Sequence, residues 1–532
     1  MATSAIVLTA ILLVCFFGLM IGVGFYCRRN ATDVNGFVLG GRSVGPWLTA
    51  FAFGTSYFSA VIFVGYAGQF GWNFGLASTW IGLGNAFIGS LLAWSLLGRR
   101  TRLMTQHIGS KTMPDFFAKR FGSNKLKVAA SFIVFVFLIP YTASLYNGLS
   151  SLFNVAFSIP YWVCILVMAI LTGVYVIFGG YMATAINDFI QGIIMLGGII
   201  AVIAALLASN GGLSEAIRQL SAIESPYLPT LGHEGAFTSF FGAQPLYLLF
   251  VIMLTSLGTW GLPQMVGKFY SIKNEDAIRK GTIISTVFAI VVAGGCYFIG
   301  GFGRLYMDKL GENPIYDSVI PTMLSTLPDA IIAVVIMLVL AASMSTLSSL
   351  VLTSASTLTL DVILPFVKKD KVTEKKSLLI MRGFIVFFIA ISAIIAIIKD
   401  AFPGFTFIAQ MMGVSWGALA GAFLAPFLYG LYSKKTSPAA VATSFVFGVG
   451  LELVQLLIML GVIGKPGGFL GFVFTNSLYS GVFAMVGGLI LVPIVSRFTK
   501  RQDVATVDAI FSCYDKKVLV NATDALHPVD AE

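Results

Sequence analysis

The sequence predicts an all-α membrane protein of about thirteen transmembrane helices, N-terminus outside and C-terminus inside. Three observations carry this. Residues of the AVILMFWYC set fill 57% of the 532 positions and charged residues only 11%, against roughly 25% charged in soluble proteins, and the mean hydropathy is +0.91. The apolar residues gather into blocks, each close to the ~20 residues that cross ~30 Å of hydrocarbon. The bases lie between the blocks and almost all on one side.

Taken in order, the expected spans are 6–27, 46–69, 76–98, 128–153, 160–179, 183–208, 244–267, 281–303, 330–360, 378–398, 404–432, 438–462 and 470–496. The first is followed by Arg28 and Arg29 and preceded by no base, the reverse of a secretory signal. It is therefore expected to persist in the mature protein and to enter from outside. If the chain alternates from there, all but Arg218, Arg304, Lys309, Lys399 and Lys465 of the 33 basic residues fall in cytoplasmic loops or the tail, a strong positive-inside pattern that supports an odd number of spans. The net charge of +10 is thus topological, and nucleic acid drops out as a partner. The bases are expected to be solvated, with Lys368, Lys369 and Lys371 also touching anionic lipid.

Residues 1–496 form one transmembrane domain and 497–532 a polar cytoplasmic tail without a catalytic module, expected to be largely flexible. The outer connections 209–243 and 304–329 are long enough for short helices capping an entrance. The sequons at Asn30 and Asn521 fall on the cytoplasmic side and do not argue for glycosylation.

Five cysteines stand singly, with no CxxC pair, and His107, His233 and His527 lie in loops. A zinc centre, a disulfide framework and a histidine-dependent catalytic group within the membrane are excluded. No nucleophile and base pair within the spans, so an intramembrane enzyme is not expected.

Acids inside hydrocarbon are costly and functional by default. Asp188 and Glu452 lie within spans; Asp361 sits at a span end, within reach of water. Asp188 reads equally as an ion ligand or as a helix-end acid favoured by the dipole. Glu452 reads as an interface residue or an ion site.

The ninth span contains Ala342-Ser-Met-Ser-Thr-Leu-Ser-Ser349. Ala342, Ser345, Thr346 and Ser349 share one helical face, bordered by Ser348. Hydroxyl and carbonyl oxygens are hard ligands suited to Na⁺, although small residues also let membrane helices pack closely. Polar interruptions occur at Gly54–Ala60 and Thr255–Gln264, the latter with Pro263. Two such breaks, each opening a block of five spans (about 46–208 and 244–432), point to a five-plus-five inverted repeat of secondary transporters; kinks in ordinary bundle helices are the alternative.

Leu39-Gly-Gly-Arg-Ser-Val-Gly-Pro-Trp-Leu-Thr-Ala50 leading into Gly54–Ser59 resembles the signature of the sodium/solute symporter family, in its proline/pantothenate-type branch. So do Gly179-Gly-Tyr with Asn187-Asp188-Phe-Ile-Gln191, Ala341–Ser349, Gly413-Val-Ser-Trp-Gly-Ala and Leu431-Tyr-Ser-Lys-Lys-Thr436. The resemblance implies a symporter that moves a small organic solute inward with Na⁺, the co-transported ion, and uses no organic cofactor. It implies a sodium site at Thr55, Phe58, Ala342, Ser345 and Thr346, and in members with a second Na⁺ a site at Asp188, Ser345, Ser348 and Ser349.

Tyr57, Ser59, Tyr141, Thr259, Trp260 and Gln264 are expected around the solute. Tyr57 stands where proline-carrying members bear an acid, and Thr259 where they and sugar-carrying members bear a tyrosine. Ala409 stands in place of a sugar-binding glutamine, with Gln410 one place on. Gly261-Leu-Pro-Gln264 resembles a segment of pantothenate and monocarboxylate carriers. The expected solute is an amino acid or a carboxylate; proline or sugar transport, proton coupling through Asp188, and a solute receptor of the same fold are the alternatives. The location implied is the plasma or inner membrane.

Overall fold

The computed structural model describes residues 3–157, 160–225, 235–311, 314–366, 373–398 and 408–515. Lys368, Lys369, Lys371, Lys399, His233, His527 and Asn521 lie outside them, as does the tail beyond 515. Ten described helices are long and apolar enough to cross a membrane, eleven when Pro245–Gly261 and Pro263–Ser271 count as one bent pair.

Two of the ten, Val61–His107 and Tyr161–Ser209, run 47 and 49 residues. Straight helices of that length would reach roughly 70 Å, more than twice the hydrocarbon thickness. Each is interrupted by a glycine with left-handed φ, Gly75 at 62° and Gly180 at 56°. A Cβ at Gly75 would meet the Phe237 carbonyl at 2.2 Å, and one at Gly180 the Phe37 carbonyl at 2.8 Å. Both turns therefore demand glycine, for conformation and for space. They fall where the sequence separates 46–69 from 76–98 and 160–179 from 183–208.

The two polar interruptions are breaks in the backbone. The helix Pro46–Tyr57 ends as Phe58 leaves helical geometry (φ −91°, ψ 89°), and a new helix runs from Ala60 to Phe74, opening with a wide π turn over Val61–Tyr66. In the other, Leu262 is extended (φ −87°, ψ 119°) between Gly261 and Pro263, and the halves bend by 46°. Proline disfavours helical geometry in the residue before it and starts the next helix without needing its missing N–H. A π turn, Met253–Leu257, lies beside this break too.

The broken segments run antiparallel. Val44, ahead of the first, forms a parallel bridge with Ile272, just past the second. At the opposite end Phe70 and Phe74 meet Tyr247 edge-on, with ring centroids 6.0 and 5.3 Å apart. The helix through 79–107 packs antiparallel on Glu275–Gly300, with Ser90 bonded to Ser285 at 2.8 Å and Gly82 against Gly294.

Short helices at Leu213–Ser221, Met307–Leu310 and Tyr316–Leu324 fill the two long connections. Part of the tail is ordered: Val504–Phe511 is a helix whose Asp508 pairs with Lys434 at 2.7 Å and whose Phe511 lies under the Arg120 guanidinium.

The expectation of solvated loop bases fails at several positions. Arg120 is fully buried and donates to the carbonyls of Gly430 and Ser433 at 2.9 Å. Arg102 is 8% exposed and donates to the Lys273 carbonyl, and Lys268 is 3% exposed. Asp361 does not reach water: it is 1% exposed, 3.1 Å from Lys127, and accepts from Thr112. A base or acid at a span end snorkels only when no partner waits inside, and here partners from distant segments do.

Candidate functional site

The rupture after Tyr57 strips the last helical carbonyls of the amides that would follow. The Thr55 carbonyl instead accepts from two side chains of the helix Asp329–Thr357, Thr346 at 3.0 Å and Ser345 at 3.2 Å. Those hydroxyls also approach the Ala342 carbonyl, each at 3.2 Å. Two hydroxyls thus each lie within hydrogen-bonding distance of two carbonyls, four oxygens from two helices in a region that is at most 1% exposed. They are four of the five positions expected to form the sodium site; Phe58, the fifth, is buried at the break itself. All four are uncharged and hard, suited to an alkali cation. Among the described residues no three His, Cys, Asp or Glu side chains cluster as a transition-metal centre would need.

The second group of expected ligands lies one turn along. Ser349 Oγ is 2.7 Å from Ser56 Oγ, and Ser348 donates to the Ser345 carbonyl at 2.9 Å. Asp188, from the segment after the Gly180 turn, is fully buried, and its partner is Lys268, 3.5 Å away. Lys268 also donates to Ser349 at 2.9 Å. Sequence reasoning missed Lys268 because it treated the base as the start of a loop, while the half-helix runs on through Ser271.

The six residues expected around the solute divide into three places. Tyr57 and Tyr141 both face the Trp416 ring, at centroid distances of 5.8 and 5.9 Å. Here Ser59 Oγ, Tyr141 OH and Trp416 Nε1 are buried beside one another, and among the described residues none makes a well-formed hydrogen bond. Tyr57 OH donates to the Thr255 carbonyl and so ties one broken segment to the other. Thr259 and Trp260 turn instead to the neighbouring helix: Thr259 donates to the Ser256 carbonyl at 2.8 Å and reaches that of Gly89 at 3.4 Å, and Trp260 donates to that of Ile88 at 3.1 Å. Their side-chain donors are already satisfied. Gln264 lines a separate, small cavity of about 50 Å³ with Lys111, Tyr181, Lys268 and Ser349, and its amide has no partner among the described residues. Trp416, within Gly413-Val-Ser-Trp-Gly, carries no local mark of this position; the glycine after it answers to Glu452, whose carboxylate a Cβ at Gly417 would meet at 2.3 Å.

Glu452 is fully buried between helices, where Ser480 donates to it at 2.7 Å. This fits the interface alternative and puts it apart from both oxygen clusters.

A model of the sodium:solute symporter family matches residues 37–448. The osmoregulated proline transporter OpuE of Bacillus subtilis (strain 168) is 28% identical over 492 residues, covering 91% of this chain and 94% of that protein. A sodium/proline symporter of Staphylococcus aureus (strain JH9) is 29% identical over 505 residues, covering 93% of each. Among solved structures, a Na⁺-coupled sialic acid symporter in a substrate-bound outward-open state superposes with a TM-score of 0.70 at 15% identity, covering 93% of this chain and 98% of that one; the likeness extends to the fold. With a family model spanning most of the chain and the membrane-length helices in place, this multi-pass membrane protein is a transporter and belongs to the sodium:solute symporter family.

Proposed function

We propose that the chain is a thirteen-span symporter, N-terminus outside, that imports a small zwitterionic amino acid together with Na⁺ by alternating access. The thirteen follow if Gly75 and Gly180 are the turns between consecutive spans. The antiparallel broken segments are what an inverted repeat over about 46–208 and 244–432 would produce.

The observation that carries the proposal is the Thr55 carbonyl met by the hydroxyls of Ser345 and Thr346. Na⁺ entering among these oxygens, with Phe58 and Ala342 completing its shell, would bind the broken segment to the helix Asp329–Thr357. Formation of the ion site and formation of the solute site at the same break are then one conformational event. Linkage requires that solute and ion raise each other's affinity equally.

The solute proposal rests on Ser59, Tyr141 and Trp416, polar groups that meet one another in a neutral, aromatic-walled space without a well-formed hydrogen bond among the described residues. A solute carboxylate suits the N-terminus of the half-helix from Ala60, and an ammonium suits the faces of Tyr57 and Trp416. The relatives named for proline transport favour an amino acid over pantothenate, a monocarboxylate or a sugar. With the acid replaced by Tyr57, the pocket differs locally from theirs. Proline is therefore the first solute to test.

The experiment is uptake of labelled L-proline by proteoliposomes under an inward Na⁺ gradient, with other amino acids, pantothenate, monocarboxylates and sugars as competitors. Uptake should require Na⁺ and be competed by amino acids alone. Equal uptake with K⁺ or choline in place of Na⁺ would overturn the coupling, and competition by carboxylates without amino groups would overturn the solute class.

A further inference from the structure

Asp188 is fully buried and shares the Lys268 ammonium with Ser349, which lies one turn along from the hydroxyls of the Thr55 cluster. Among the described residues no backbone amide or hydroxyl donates to either carboxylate oxygen, and the group that approaches them is the Lys268 ammonium. A carboxylate placed this way demands a cation. Among the described residues the cation paired with it is Lys268, which arrives from the half-helix Pro263–Ser271. Its Nζ lies 3.5 Å from Asp188, 2.9 Å from Ser349 Oγ, and 5.4 Å from the centre of the Tyr181 ring.

We infer that the Lys268 ammonium occupies the second cation site as a tethered ion, so that this chain binds a single free Na⁺, at the Thr55 cluster. The inference rests on the sodium reading of that cluster.

Two arguments support it. Ser349 Oγ already accepts from the ammonium, so that oxygen is engaged where a second Na⁺ would need it. The site also offers one carboxylate, enough for one positive charge. A Na⁺ beside the ammonium would face an uncompensated like charge at a few ångströms in a water-poor interior, where Coulomb repulsion is weakly screened. A lysine fixed to the chain cannot be released with the solute. Each transport cycle would then carry one Na⁺ where a chain without the lysine carries two, and the solute gradient it can sustain depends on the first power of the Na⁺ gradient.

The test is equilibrium binding of ²²Na⁺ to the purified full-length protein at pH 8, where carboxylate protonation is disfavoured. The wild type should bind one Na⁺ per chain. Lys268→Ala, which leaves Asp188 without its partner, should bind two, and adding Asp188→Asn should return the count to one. Two Na⁺ on the wild type, or one on a folded Lys268→Ala, would overturn the inference. No Na⁺ on the wild type would instead overturn the sodium cluster beneath it. If Lys268→Ala does not fold, Lys268→Gln, which keeps a donor for Ser349 without the charge, serves with the same expectation, and the wild-type count stands as its own test.

Discussion

Removing the Thr346 hydroxyl should weaken Na⁺ binding by an amount the geometry fixes. That hydroxyl donates to the Thr55 carbonyl at 3.0 Å, a neutral hydrogen bond worth about 0.5–1.5 kcal/mol. With Na⁺ bound it turns its lone pair to a full charge, an interaction of the class worth roughly 1.5–3 kcal/mol. Thr346→Ala loses both, so the cost to binding is the difference, about 1–2 kcal/mol. At about 1.4 kcal/mol per decade this raises the half-saturating Na⁺ concentration roughly 5- to 30-fold. Thr346→Ser keeps the oxygen and should stay close to the wild type. Ser345→Ala should behave like Thr346→Ala, and the double variant should be worse than either, though not additively, because both hydroxyls share the Thr55 carbonyl. The assay is the Na⁺ dependence of initial uptake rate in proteoliposomes, with maximal rate recorded separately. An unchanged half-saturating Na⁺ concentration in a folded Ser345→Ala/Thr346→Ala protein would refute the reasoning and make the stripe a packing surface.

Three further outcomes are expected. Tyr141→Phe removes a buried hydroxyl that makes no well-formed hydrogen bond among the described residues; it should raise the solute KM by about 2- to 10-fold, the worth of one neutral hydrogen bond, and leave Na⁺ half-saturation alone, whereas an unaltered KM would remove Tyr141 from the pocket. Gly180→Ala forces a side chain into left-handed geometry, at about 1–2 kcal/mol, and against the Phe37 carbonyl, so the melting temperature in detergent should fall; an equal or higher one would contradict the turn. Burial pushes the Asp115 carboxyl up, but Lys119 and Lys127, each 2.9 Å away, outweigh it and hold it below the usual carboxylate range. Because its folded pKa is depressed, Asp115 stabilises the protein above its unfolded pKa of about 3.9, and the contribution is lost as pH falls through the folded value. The difference in melting temperature between wild type and Asp115→Asn should therefore hold from pH 7 to about 5 and shrink as pH falls below about 4, and a gap that widens there would contradict the pairing.

Much of the architecture was legible because hydrocarbon imposes simple rules. Apolar blocks mark the helices, and Gly/Pro clusters mark where they fail: both breaks fall inside the patches Gly54–Ala60 and Thr255–Gln264. The serine stripe could be read from helical periodicity, and it does face the first break. What could not be read is which charges turn inward. Lys268 and Lys127 look like ordinary span-end bases, and only the approach of Asp188 and Asp361 from remote segments makes burial favourable. Nor does local sequence say which polar groups are already satisfied. Thr259 and Trp260 look as available as Ser59 and Tyr141, yet Thr259 bonds back to the Ser256 carbonyl and Trp260 to a carbonyl of the π-helical stretch Asn85–Leu92, a backbone irregularity without a compositional signature.

The central claim is that an alkali cation lodges between the ruptured end of Pro46–Tyr57 and the helix Asp329–Thr357. Paired high-resolution cryo-EM maps of the protein in NaCl and in choline chloride test it most directly. A peak coordinated by the oxygens of Thr55, Ala342, Ser345 and Thr346 in Na⁺ alone is the predicted result. Maps that are identical there, with both hydroxyls still bonded to the Thr55 carbonyl in Na⁺, would contradict it.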